Sequence, residues 1–136
     1  MKPTPTPATK RNVGITLLEL TVVILVLLSL VTILFIGARA WKKGSDRSAN
    51  ILNIRNVQQA MRSHANLRGL SDGAVLSSSA IVGAGKYLEN VKAPNTDITY
   101  AYGTTVPTIG TLYLTATYAS GTSIDFEPTA STYAGW

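Results

Sequence analysis

The chain has 136 residues, no cysteine, and twelve Lys and Arg against seven Asp and Glu, for a net charge of +5. Disulfide and thiolate chemistry are closed to it, and a lone histidine leaves no histidine pair for a metal centre. A chain this short has room for one small domain and an appendage, so its stability must come from packing, from a membrane or from neighbouring subunits.

In residues 1–12, Pro3, Pro5 and Pro7 alternate with polar residues, a pattern that forms neither a core nor an ordered helix. Lys2, Lys10 and Arg11 give this stretch a net +3, and they favour the cytoplasmic side of a membrane. Arg39, Lys42 and Lys43 flank the other end of the apolar run that follows, so charge alone leaves orientation open. Leu20 to Ala38 is 19 residues without a charge. As a helix it covers about 28 Å, close to the hydrocarbon thickness of a bilayer. Glu19 stands at its mouth, where an ionised carboxylate costs on the order of 2.5–3.5 kcal/mol by insertion scales and calls for a partner.

Helical character continues past the apolar run, which predicts one long helix over about residues 15–68. Ile51, Ile54, Val57, Met61 and Ala65 form an apolar stripe expected to pack on the globular part, with Arg55, Gln58, Gln59 and Arg62 on other faces. Gly44-Ser45 is an expected weak point, and Gly69 an expected stop. Residues 39–68 carry a net +6 and residues 69–136 a net −3, a polarity suited to attraction between subunits. The cations are spread thinly along the helix without interleaved aromatics, so they read as a solvated face before a nucleic-acid surface. His64, three residues from Met61, reads as a packed or surface residue.

Residues 69–86 are Gly-, Ser- and Ala-rich and predict a loop, with a helical turn at Tyr87-Leu88-Glu89-Asn90. After Pro94 the period becomes two: Ile98, Tyr100 and Tyr102, then Leu112, Leu114, Ala116 and Tyr118, then the short run of Ile124 and Phe126. Gly103 to Gly110 and Ala119-Ser120-Gly121 read as the connections. The expected fold class is α+β, with a three-stranded antiparallel sheet whose apolar face lies on the amphipathic half of the helix. Asp125 and Glu127 would then share one strand face. They are weak calcium candidates, more readily read as a solvated face. Nothing here assembles a nucleophile, a metal centre or an acid–base pair, so neither catalysis nor a cofactor is expected.

Gly14, then Ile15-Thr16-Leu17-Leu18-Glu19-Leu20 and an apolar helix, behind a short basic leader, resembles the N-terminal signature of type IV pilins and type II secretion pseudopilins. The match is close over residues 10–40 and loose beyond. The resemblance implies a leader, residues 1–14, removed after Gly14 by a membrane-embedded prepilin peptidase that also methylates the new N-terminus, Ile15. A filament-core helix at 15–38, an amphipathic helix at 39–68 and a small β region at 69–136 would follow. It further implies that Glu19 meets the α-amine of a neighbouring subunit, a desolvated ion pair that sets register. Leu17, Leu18 and Leu20 would pack with the rest of the run in a helical filament of identical subunits. Implied partners are an inner-membrane platform, a cytoplasmic assembly ATPase and, before assembly, membrane lipid. Implied location is the bacterial inner membrane as a single pass, N-terminus cytoplasmic and C-terminal region periplasmic, then a periplasmic or surface filament. Ile15 stands where the family most often has phenylalanine. Ile36 stands where many members have proline, which predicts a straighter helix. The absence of cysteine leans towards a pseudopilin, because many major pilins close a C-terminal loop with a disulfide.

Two other readings compete. Ala38-Arg39-Ala40 resembles a signal-peptidase site, but an apolar run of 19 residues is longer than such signals use, and Glu19 has no role in one. A single-pass anchor holding a small periplasmic binding module explains the span and leaves Gly14 and Glu19 as accidents.

Overall fold

The structure is a computed structural model and describes residues 1–4, 14 and 16–136, without the side chain of Ile124. It divides into two compact units, Met1–Ala38 and Arg39–Trp136. The main helix, α1, runs Leu17–Arg68. Gly44-Ser45 does not break it: the Ser48 hydroxyl donates to the Gly44 carbonyl at 3.0 Å, and the helix continues. Gly69 ends it as expected. With φ at +64°, Gly69 donates to the Asn66 carbonyl, and Leu70 donates to the Ala65 carbonyl at 2.8 Å. This is a Schellman closure, which needs a left-handed residue where glycine carries no Cβ penalty.

In the first unit, every large apolar side chain of α1 is exposed, from Leu17 at 82% to Ile24 at 46%. Its hydroxyls are satisfied within the helix: Thr21 donates to Leu18, Ser29 to Val26 and Thr32 to Leu28, at 2.7–2.8 Å. The helix is long and apolar enough to cross a membrane.

In the second unit, two strands pair antiparallel: β1, Ile98–Tyr102, and β2, Leu114–Tyr118. The register sets Ile98 opposite Tyr118, Tyr100 opposite Ala116 and Tyr102 opposite Leu114 on the inward face. Thr99, Thr115 and Thr117 point outward, as the period of two requires. The third strand expected at Ile124 and Phe126 does not form. Ser123–Phe126 is a single helical turn, α2, followed by another, α3, at Ala130–Tyr133. Three alternating residues offer little ladder, Asp125 disfavours a strand, and Pro128 has no N–H to donate. The helical turn instead buries Phe126 to 3% exposure and presents its carbonyl to α1.

The core gathers Ile54, Val57, Ala60, Met61 and Ala65 of α1 with Tyr113 and Leu114. Leu76, Ile81 and Val106 complete it from the connecting segments. The expected featureless loop at 69–86 is therefore tied down. Gly73 and Leu76 donate to Val106 and Thr104, and Val106 returns a bond to Ala74. The helical turn expected at 87–90 is displaced to a 3₁₀ turn at Ser78–Ala80, capped by Ser77, while Leu88 bridges to Val82.

Candidate functional site

Thr16 and Glu19 form a reciprocal pair at the start of α1. The Thr16 N–H donates to the Glu19 carboxylate at 2.9 Å, and the Glu19 N–H donates to the Thr16 hydroxyl at 3.3 Å. This is a capping box: a Thr-x-x-Glu spacing places both side chains over two backbone donors that the helix leaves free. It gives Glu19 a partner inside its own chain, which the sequence reading did not find although the spacing was present. Leu17, Leu18 and Leu20 stand exposed beside it, at 82%, 74% and 51%. Gly14 is exposed with open space around its Cα. Ile15, expected as the mature N-terminus and site of methylation, lies outside the described residues, as do Lys10 and Arg11.

The calcium candidates are not brought together on a strand. Asp125 lies in α2 and its carboxylate meets the Lys43 ammonium at 2.9 Å. Glu127 caps the end of that turn, and its main-chain oxygen accepts from Arg47 at 3.4 Å. Among the described residues, no three His, Cys, Asp or Glu side chains cluster as metal ligands would. His64 is half-buried and meets Tyr87 edge-on, with ring centroids 5.7 Å apart.

Two polar side chains of α1, Asn50 and Gln58, are buried beside the apolar stripe. Asn50 donates to the Tyr118 hydroxyl at 3.1 Å and the Phe126 carbonyl at 3.0 Å, and accepts from the Tyr100 hydroxyl at 2.8 Å. Asn53 adds bonds to Lys92 and Tyr100. Gln58, expected on another face, is 2% exposed. Its amide donates to the Thr111 carbonyl and accepts from the Tyr113 N–H at 2.9 Å. Asn50 and Gln58 stand four residues before and after Ile54, a spacing that marks the same face whatever the residue type.

The Tyr100 and Tyr118 hydroxyls belong to this network. Burial pushes the phenols of Tyr100, Tyr102, Tyr113 and Tyr118 above the usual value, partly offset at Tyr100 by Asn53 and at Tyr118 by Asn50. The Tyr113 hydroxyl donates to the Leu76 carbonyl at 2.9 Å, pinning the segment after α1 to the sheet.

A cavity of about 560 Å³ opens beside α1, walled by Arg55, Gln58, Arg62 and Trp136 among others. The Arg55 guanidinium lies 5.8 Å from the Trp136 ring centroid. Sequence reading placed the two arginines on a solvated face, and the only advance signal was their spacing of seven residues.

No protein-family model, curated protein or solved structure matches the chain.

Proposed function

We propose that this protein is a structural subunit of a pseudopilus- or type IV pilus-like filament, made as a membrane precursor and assembled through the first half of α1. The observation that carries the reading is the uncovered apolar surface from Leu17 to Ile36, which follows Gly14 and encloses Glu19 near its start. In water such a surface is a strong liability, and lipid and then neighbouring copies of the same helix are the environments that suit it. The self-bonded hydroxyls of Thr21, Ser29 and Thr32 suit both. Partners in this reading are other copies, a prepilin peptidase, an inner-membrane platform with its ATPase, and lipid. The acidic C-terminal half and the basic helix would meet between copies, although Lys43–Asp125 and Arg62–Asp72 already spend part of that charge within one chain.

A second reading, a single-pass anchor carrying a small binding module, gains from the capping box. Glu19 then has a local reason to be where it is. Intact mass of the protein recovered from membranes of its native host separates the two. Loss of residues 1–14 with one added methyl supports the filament subunit; an intact N-terminus supports the anchor.

A further inference from the structure

The cavity on the second unit carries chemistry that neither reading uses. Arg55, Gln59, Arg62, Ser63 and Asn66 recur along α1 at intervals of three and four, so they share one face. Trp136 closes the far wall. Arg55 lies over the indole, which leaves its guanidinium edge for a further partner. Arg62 spends one nitrogen, Nη1, on Asp72 at 3.3 Å. Its other terminal nitrogen, Nη2, is buried and has no hydrogen-bond partner among the described residues. A buried guanidinium N–H left unpaired is costly, and because Nη2 is sealed from solvent the side chain must turn for it to meet an occupant of the cavity. The neighbouring groups do not meet the need. The Gln58 amide bonds Thr111 and Tyr113, the Trp136 main-chain oxygen accepts from Gly110, and neither bonds Arg62.

We propose that this cavity binds a small ligand bearing an oxyanion, a phosphate or carboxylate, held by Arg62 and Arg55 with its flat or ring portion against Trp136. Guanidinium forks match such oxyanions in geometry and charge. Gln59, Ser63 and Asn66 supply neutral donors and acceptors for the rest of the ligand. The volume is that of a small-molecule site. The site lies wholly within Arg39–Trp136, so it stands whether or not the chain forms a filament.

The chain has two tryptophans, and Trp41→Phe leaves Trp136 as the sole fluorescent indole. Full-length W41F in detergent micelles is titrated with phenyl phosphate, benzoate and inorganic phosphate at constant ionic strength. A saturable change in Trp136 emission is expected, tighter for phenyl phosphate than for inorganic phosphate. The tighter of phenyl phosphate and benzoate names the head group. Arg62→Gln and Arg55→Gln should each weaken binding about tenfold or more. Asp72→Asn should leave it unchanged or tighten it, since it removes a competing carboxylate while keeping Arg62. The proposal is overturned if none of the three probes gives a saturable change. It also falls if R62Q binds like its parent, or if D72N weakens binding as much as R62Q does, which would make the effect one of lost structure.

Discussion

Gln58 lies at a core position of α1, 2% exposed, and supplies both a donor and an acceptor to the chain entering β2. Gln58→Met keeps the length of the side chain and removes both bonds, leaving the Tyr113 N–H and the Thr111 carbonyl without their partner. The expected cost is about 2 kcal/mol, since an unpaired buried backbone group forfeits its desolvation. Urea unfolding would show it as a lower midpoint at unchanged slope. Asn50 plays the matching part at the other end of the stripe, joining Tyr100, Tyr118 and Phe126 to α1. Neither residue stands out in a hydropathy pattern, because hydropathy scores the side chain and not the backbone groups it will meet. Period and spacing were legible there; the polar partners were not.

At the scale of elements, the start of α1 gives Glu19 a capping role, and the filament reading adds a second that a single substitution separates from it. Glutamine serves at the third helical position of a capping box as well as glutamate does, so Glu19→Gln keeps the helix start and removes the charge. Helix content and membrane insertion should stay as in the parent. In the filament reading, E19Q should still lose most assembly, measured as sheared or sedimented filament per cell. Normal filaments would leave Glu19 with the cap alone. Thr16→Ala is the converse: it weakens the cap by about 1 kcal/mol and should assemble. The C-terminal elements show where local pattern reading reaches its limit. β1 and β2 were legible because five alternating residues pair with five others. The run at Ile124 and Phe126 was too short to specify a ladder, and its contacts with α1 through Lys43 and Asn50 selected a helical turn.

For the whole molecule, the buried hydrophobic residues all lie between Ile54 and Phe126, inside the second unit. Residues 39–136 expressed alone should therefore fold cooperatively without detergent, whereas the full chain should need it; circular dichroism and size-exclusion chromatography check both. Alkaline titration of that fragment tests the tyrosine layer. A phenol that holds its proton more tightly in the folded chain releases it on unfolding. Stability is then unaffected below about pH 10 and falls as pH rises beyond it. Absorbance of phenolate should show Tyr100, Tyr102, Tyr113 and Tyr118 titrating above the usual phenol range, or together with unfolding.

The apolar run, the length of α1, its stop at Gly69 and the alternation of β1 and β2 were determined by the sequence by itself. Each rests on interactions within a few residues, where chain geometry leaves few choices. Tertiary structure alone decided that Asn50 and Gln58 are buried, that Leu76 and Ile81 draw a glycine-rich segment into the core, and that Ser123–Phe126 coils. It also brought Trp136 against Arg55 across eighty-one positions of chain. Those outcomes depend on which distant groups meet and satisfy one another's hydrogen bonds, and local periodicity holds no record of that.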